Sequence, residues 1–145
     1  MAGQELSELL PDRERSIRLF FEEFYGAARY DYAKLVNLLH DDAVVTVVGD
    51  VFDYPLSGVY RGRAQILDFL RRLDGEIERS GQKILNLVVD GDKVGLRRSV
   101  VIRHHGTAAS RLLTLGALAV FRDGKVAQLH EYVDTSWLKQ VLGED

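Results

Sequence analysis

Residues 93–133 read KVGLRRSVVIRHHGTAASRLLTLGALAVFRDGKVAQLHEYV, and apolar and polar side chains alternate along most of this stretch. Alternation with a period of two is typical of β-strands that bury one face. The turn sequences His105-Gly106-Thr107 and Asp123-Gly124 divide the stretch, and Asp90-Gly91-Asp92 separates it from an earlier strand. The pattern predicts an antiparallel meander of four strands, over residues 83–89, 93–104, 110–122 and 125–133.

Helical patterns come before the meander. Apolar residues recur on one face of a helix over residues 11–29, and a second helix is predicted from Asp31 to about residue 40. A third helix carries a buried face from Ile66 to Ile77. Its charged residues, including Arg79, are expected to lie on the outside.

A strand and a long loop lie between the second and third helices. Residues 43–48, AVVTVV, are mainly β-branched and predict a strand. The loop that follows, up to Gly62, offers Tyr54 and Tyr60 as candidates for a rim over a cavity. A short C-terminal helix is predicted after its cap, Asp134. Helices followed by a sheet predict an α+β fold.

Composition excludes several classes of function. With 145 residues, 46% of them hydrophobic, the chain is expected to form a single domain over residues 1–145. The net charge is −3 and the basic residues are scattered, which argues against a nucleic-acid partner. There is no cysteine and no pair of histidines and carboxylates at metal-ligand spacing, so we expect no metal and no other cofactor.

The sequence also argues against a membrane protein. Residues 112–121 form the longest uncharged run, which is far shorter than the ~20 residues that a membrane helix requires. The N-terminus lacks the basic start and the apolar run of a secretion signal. We therefore expect a cytoplasmic protein with no membrane partner.

Two charged residues interrupt the apolar faces of the predicted strands. Glu131 lies on the apolar face of residues 125–134, and Arg98 lies on the apolar face of residues 94–103. A charge that faces a core is costly unless it is paired, and a guanidinium suits a carboxylate in a poorly hydrated site. The two side chains are therefore predicted to form a pair and to mark a candidate site.

Three segments resemble a known family. LLHDDAVVTVVGD (residues 38–50), PLSGVYRGRAQILDFL (residues 55–70) and VFRDGKVAQLHEYVDTSWL (residues 120–138) resemble the SnoaL-like, ketosteroid-isomerase-related branch of the nuclear-transport-factor-2-like (NTF2-like) superfamily. The resemblance extends over roughly residues 12–143. It implies a cone-shaped α+β fold, in which N-terminal helices close a curved antiparallel sheet. The resemblance does not imply one function, because this fold occurs in enzymes that catalyse several types of reaction and also in non-enzymes.

The ketosteroid isomerases in this superfamily have a catalytic aspartate on the first strand and a tyrosine donor on the first helix. The resemblance places Val47 where the aspartate would be. It places Glu23 where the tyrosine would be, with Tyr25 close by but in a different register. A ketosteroid isomerase of the usual kind is therefore not expected.

Limonene-epoxide-hydrolase-like members use an arginine that is flanked by two aspartates. The phrase EYVD resembles the strand that carries the second aspartate, so the resemblance places Glu131 on the catalytic acid and Arg98 on the arginine. Val100 stands where the other aspartate would be. Only the arginine and one acid of that apparatus are present.

Two roles remain open for the pair of Arg98 and Glu131. It is either a structural ion pair or an acid/base site in which Glu131 moves a proton and Arg98 stabilises negative charge. The second role predicts a cofactor-free isomerase, cyclase or hydrolase that acts on a small, mostly apolar molecule such as a cyclic ketone, lactone or epoxide. The alternative is a non-catalytic ligand-binding or dimeric assembly module.

The predicted pocket is apolar except for this pair. Its predicted substrate-binding residues are Phe20, Phe24, Val45, Val47, Tyr54, Tyr60, Leu96, Val100, His104, Leu129 and Val133. The opposite face of the sheet leaves apolar residues that need cover, so a homodimer is expected to form there. These residues are Leu112, Leu118, Val120 and Tyr132.

Overall fold

The structure, a computed structural model, describes residues 12–26, 30–49 and 56–133. The predicted C-terminal helix with its cap, Asp134, and the predicted rim residue Tyr54 lie outside the described residues.

The described residues form three helices and six strands. The helices are α1 (Asp12–Gly26), α2 (Tyr32–Leu38) and α3 (Gly62–Glu76). The strands are β1 (Leu39–Val48), β2 (Gly58–Arg61), β3 (Ile77–Asp90), β4 (Lys93–His104), β5 (Ser110–Arg122) and β6 (Lys125–Tyr132). The N-cap of α2 is Asp31, whose side chain accepts a hydrogen bond from the backbone N–H of Lys34.

The six strands form one curved, unclosed sheet in the order β2-β1-β6-β5-β4-β3. Strands β3 to β6 pair in sequence as antiparallel neighbours, which confirms the predicted meander. Strand β1 then pairs with β6 in parallel, and β2 pairs with β1 in antiparallel. The predicted α+β fold, with helices packed on a curved sheet, is confirmed.

Three boundaries differ from the prediction. Strand β1 begins at Leu39, and the short strand β2 occupies part of the predicted loop. The third difference affects the site: helix α3 ends at Glu76, and β3 begins at Ile77. Burial then alternates, because Ile77 and Arg79 are buried while the residue between them is partly exposed. The expectation that Arg79 lies outside was therefore wrong. The prediction continued the third helix to this residue, whereas the structure begins strand β3 at Ile77.

The main core lies between the helices and the inner face of the sheet. It joins Phe21 and Phe24 from α1, Ile66 and Phe69 from α3, and the buried residues of β1, β4, β5 and β6. A second, smaller cluster consists of Ile77, Val100, Ile102, Leu113 and Leu115. Each fully buried aliphatic or aromatic side chain stabilises the fold by roughly 1.5–3 kcal/mol.

Candidate functional site

A cavity lies between the two core clusters, under helices α1 and α3. Its lining is mainly apolar, and it also includes five polar or charged side chains: Tyr25, Tyr30, Arg79, Arg98 and Glu131. The cavity volume is about 70 Å³, which is small beside the ~300–1,000 Å³ of drug-sized ligand sites. A cavity of this size favours a small ligand.

Five of the predicted substrate-binding residues line this cavity: Phe24, Val45, Val47, Leu129 and Val133. They come from α1, from neighbouring positions of β1 and β6, and from the end of β6. Val45 pairs with Leu129, and Val47 pairs with Glu131, so the apolar floor and the carboxylate lie side by side. Whether these residues bind a substrate stays a prediction.

The other described members of that set lie elsewhere. Phe20 packs in an aromatic cluster with Phe121, at a centroid distance of 5.3 Å, and Leu96 belongs to the main core. Val100 is fully buried within the smaller cluster. These three residues therefore pack against neighbouring side chains and do not line the cavity.

The two remaining polar members are also engaged by neighbours. The ring of Tyr60 stacks on Phe69 at a centroid distance of 4.3 Å, and its hydroxyl donates to the backbone oxygen of Leu56. His104 lies at the turn after β4, where its Nδ1 contacts Thr107. Neither residue is part of the cavity lining.

The structure brings Arg98 and Glu131 together. Arg98 lies on β4 and Glu131 on β6, so β5 separates them by about 10 Å of sheet. The residue of β5 that pairs with Glu131 is Ala117, whose small side chain leaves room for longer side chains to meet above it. Arg98 Nη2 lies 3.5 Å from Glu131 Oε2, and both side chains are buried.

Tyr25 on α1 completes this site. Its hydroxyl donates a hydrogen bond to Glu131 Oε1, and the guanidinium carbon of Arg98 lies 3.8 Å from the centre of its ring. In the sequence, Tyr25 stands out only as a neighbour of the isomerase tyrosine position. A stronger signal was its spacing of four residues from Phe21, because that spacing places both rings on the buried face of α1.

The site holds Tyr25 as a neutral phenol. Burial raises the pKa of Tyr25 well above its ordinary value, and the negative charge of Glu131 raises it further. For Arg98, burial acts to lower the pKa, but the charge and hydrogen bond of Glu131, together with the nearby Tyr25 and Tyr30, outweigh burial and the pKa is raised. The site therefore combines a phenol donor, a fixed cation and a carboxylate acceptor.

The hydrogen-bonding capacity of this site is only partly used. Within residues 12–26, 30–49 and 56–133, the Nε and Nη1 atoms of Arg98 and the Oε2 atom of Glu131 have no hydrogen-bond partner. Buried polar groups are nearly always satisfied by protein, water or ligand. The arrangement can therefore accept a molecule that offers an oxygen to Arg98 and a proton to Glu131.

A second ion pair borders the same cavity. Arg79 Nη1 lies 3.0 Å from Asp74 Oδ1, and the guanidinium carbon lies 3.7 Å from the centre of the Tyr30 ring. The other oxygen of Asp74 accepts from the backbone N–H of Tyr30 at 3.1 Å and from the hydroxyl of Tyr32 at 2.5 Å. Burial and the bond to Asp74 raise the pKa of Tyr32 to about 12. The sequence pattern did not predict this pair.

Across the described ranges, no group of three or more histidine, aspartate or glutamate side chains is placed to hold a metal ion. None of the helices described is long and apolar enough to cross a membrane.

Several solved structures share this fold at low sequence identity. A protein from Rhodopseudomonas palustris, provisionally described as an isomerase, is 18% identical, with a TM-score of 0.76 over 88% of this chain and 96% of its own. An NTF2-like protein of unknown function from Burkholderia pseudomallei is 17% identical, with a TM-score of 0.76 over 90% and 97%. A protein from Mesorhizobium loti, provisionally described as a SnoaL-like polyketide cyclase, is 16% identical, with a TM-score of 0.60 over 71% and 85%.

These structural likenesses establish the fold, and a family model supplies the sequence relationship. No protein of curated function matches the sequence. Residues 17–129, however, match the model of the SnoaL-like domain, which is most of the chain. The chain therefore belongs to the SnoaL-like domain family, and its fold is that of NTF2-like proteins.

Proposed function

We propose that this protein catalyses cofactor-free proton transfer on a small, mostly apolar molecule that carries a carbonyl group, such as a cyclic ketone or lactone. The observation that carries the proposal is the buried carboxylate of Glu131, which is hydrogen-bonded by Tyr25 and lies 3.5 Å from Arg98 in an apolar cavity. Family membership supports an isomerase, cyclase or ligand-binding role without giving the substrate.

Each side chain has a separate role in the proposed reaction. Glu131 takes a proton from the carbon next to the carbonyl, and the electron pair of that C–H bond moves toward the carbonyl oxygen. The free N–H groups of Arg98 donate to this oxygen as it becomes negative. Tyr25 holds the carboxylate in position through its hydroxyl. Return of the proton to another atom gives an isomer.

Apolar walls strengthen these interactions. Val45, Val47 and Leu129 border the carboxylate, so little water competes with a bound carbonyl oxygen. The same walls bind the hydrocarbon part of a ligand by burying its surface. With an epoxide, Glu131 would take a proton from a water molecule as its oxygen bonds to a ring carbon and the C–O bond of the ring breaks, and Arg98 would stabilise the oxygen that is released.

Hydrogen exchange on a simple ketone tests the proposal. Cyclohexanone is incubated with the protein in deuterated buffer, and loss of the proton signals beside the carbonyl is followed by NMR. The wild-type protein should accelerate exchange, and Glu131→Gln should lower the rate by ~10²-fold or more because the proton acceptor is lost. Binding of cyclohexanone should persist in this variant.

Glu23→Gln is the matched control, since Glu23 is an exposed glutamate of α1 that pairs with Lys34 on the surface. This variant should accelerate hydrogen exchange on cyclohexanone at the wild-type rate. Wild-type exchange in Glu131→Gln would contradict the proposed base. Binding of cyclohexanone without any accelerated exchange would instead favour the alternative function, a non-catalytic ligand-binding module.

We also propose a homodimer that forms through the outer face of the meander. Leu112, Leu118 and Tyr132 are 63%, 52% and 44% exposed, whereas Val120 is partly buried. Val88, which is 66% exposed, and Leu118 flank Gly95 in register, and they form an apolar row across three strands. Contiguous exposed apolar surface of this kind supports a protein interface.

Sedimentation equilibrium tests the homodimer. Wild-type protein should sediment as a dimer, and Leu118→Lys should shift it toward the monomer because a charge would be buried at the interface. Leu19→Lys is the control, since Leu19 is equally exposed at 52% but lies on α1. A wild-type monomer would contradict the proposal. The cytoplasmic location and the lack of a nucleic-acid partner stay predictions.

A further inference from the structure

We propose that Arg79 binds a carboxylate group of the ligand, so that the substrate is a small apolar oxo acid whose carbonyl reaches Arg98 and Glu131. This inference rests on the proposed function, and it adds a second polar contact at another part of the same cavity. The observations that carry it are the burial of Arg79, its free hydrogen-bonding edge and the way in which Asp74 and Tyr30 hold it.

Arg79 presents an unused edge in a buried site. Its side chain is 3% exposed, and it lines the cavity together with Arg98 and Glu131. Its Nη1 atom is bound to Asp74, but its Nε and Nη2 atoms have no hydrogen-bond partner within the described parts of the chain. A guanidinium has five N–H donors, and leaving several of them without an acceptor in an apolar cavity is costly. The Nε and Nη2 groups of Arg79 therefore require a hydrogen-bond acceptor.

The surroundings of Arg79 hold this edge in a fixed orientation. Tyr30 stacks on the guanidinium at 3.7 Å, and Asp74 fixes one end of it at 3.0 Å. Asp74 is itself fixed by the backbone N–H of Tyr30 and by the hydroxyl of Tyr32. Asp74 is thus a positioning residue, and the contact with the ligand falls to Arg79.

The geometry of the free edge selects the type of acceptor. The Nε and Nη2 hydrogens of arginine point in parallel, and they match the two oxygens of a carboxylate in a bidentate pair. An amide of the same shape would direct an NH₂ group at one of these donors and could satisfy only the other. The free edge therefore favours a carboxylate over a neutral amide.

The positions of the two arginines indicate how the ligand would lie. Arg79 on β3 pairs with Ile102 on β4, which is four residues from Arg98, or ~13 Å along an extended strand. Both side chains line the same cavity. A short acid with a carbonyl a few bonds from the carboxylate would contact both.

Binding of two probes of equal shape tests this inference. Benzoate carries the carboxylate, and benzamide replaces one oxygen by NH₂. In NMR titrations, the wild-type protein should bind benzoate at least 10-fold more tightly than benzamide. Arg79→Met should abolish this preference. Arg97→Met is the control, because Arg97 is an exposed arginine on β4 that bonds to Asn86, and it should keep the preference.

Arg79→Met leaves Asp74 buried without its cation, so a second variant guards against failure to fold. Asp74→Asn combined with Arg79→Met removes both charges and should show the same loss of benzoate preference. Equal binding of the two probes to wild-type protein, or a preference that survives in the double variant, would overturn the inference. Failure of benzoate to bind at all would also overturn it.

Cyclohexanone separates this inference from the proposed function. It has a carbonyl and no carboxylate, so its binding and exchange depend on Arg98 and Glu131 and should be unchanged by Arg97→Met. If cyclohexanone exchange proceeds while benzoate shows no preference, only the role of Arg79 fails. If benzoate is preferred while cyclohexanone neither binds nor exchanges, the proposed reaction fails and the carboxylate site remains.

Discussion

The two buried ion pairs of the cavity differ in how far their carboxylates are satisfied. Asp74 accepts hydrogen bonds from Arg79, from the backbone N–H of Tyr30 and from the hydroxyl of Tyr32. Glu131 accepts one hydrogen bond from Tyr25, and its second oxygen lies 3.5 Å from Arg98 without a hydrogen bond from the described residues. Asp74 has at least one donor on each of its two oxygens, whereas Glu131 keeps one oxygen without a hydrogen bond from the described residues.

This difference separates a structural pair from a reactive one. A carboxylate that accepts hydrogen bonds on both of its oxygens cannot take a proton from a ligand without disturbing those bonds. Asp74 therefore serves to fix its neighbours. Glu131 can take a proton through its free oxygen while Tyr25 and Arg98 stay in place, so chemistry is expected at Glu131 only.

The largest effect on stability is expected from Asp74→Ala. This change removes the partner of a buried cation and three hydrogen bonds, and it should lower the free energy of unfolding by ~3–5 kcal/mol. Urea denaturation followed by circular dichroism measures the change. Hydrogen exchange on cyclohexanone, which has no carboxylate for Arg79 to bind, should persist in the folded fraction, because Asp74 does not contact Glu131.

Asp68→Ala is the control for this prediction. Asp68 lies on the same helix, but it is exposed and pairs with Arg72 at 3.8 Å on the surface. Exposed pairs of this kind contribute ~0–1 kcal/mol, so the variant should unfold almost like the wild type. If the two aspartate variants lose equal stability, Asp74 is not the structural centre that its hydrogen bonds indicate.

The same comparison explains what the sequence could predict. Strands β4 and β5 have the predicted bounds, because strict alternation and glycine turns mark a hairpin wherever they occur. Arg98 and Glu131 were found because each is a charge on an otherwise apolar face of a strand. A charge that interrupts a pattern of period two can be recognised from the sequence alone.

The pair of Arg79 and Asp74 could not be found in this way. Residues 73 and 77 are four apart, which suits a helix, whereas residues 77 and 79 are two apart, which suits a strand. The local pattern therefore fits both structures at the junction, and tertiary packing decides where the helix ends. Asp74 then faces inward from the last turn of α3, and only its contacts with α2 and β3 reveal why.

Tyr25→Phe is expected to give the smallest effect on the free energy of unfolding. The pH dependence of this effect tests the hydrogen bond from Tyr25 to the pair of Arg98 and Glu131. Loss of the hydroxyl that donates to Glu131 should cost ~1.5–3 kcal/mol near neutral pH, the usual contribution of a hydrogen bond to a charged group. The pKa of Tyr25 is raised by burial above that of the unfolded chain, so its contribution is complete below pH ~10 and falls as the unfolded phenol ionises.

The wild-type free energy of unfolding should therefore decline above pH 10 by ~1.4 kcal/mol per pH unit more than that of Tyr25→Phe. Urea denaturation between pH 8 and 11 (about three pH units around the usual tyrosine pKa) measures both curves. Parallel curves for Tyr25→Phe and the wild type would mean that the buried phenol of Tyr25 does not keep its proton to donate to Glu131. The pair of Arg98 and Glu131 would then have no fixed donor from Tyr25.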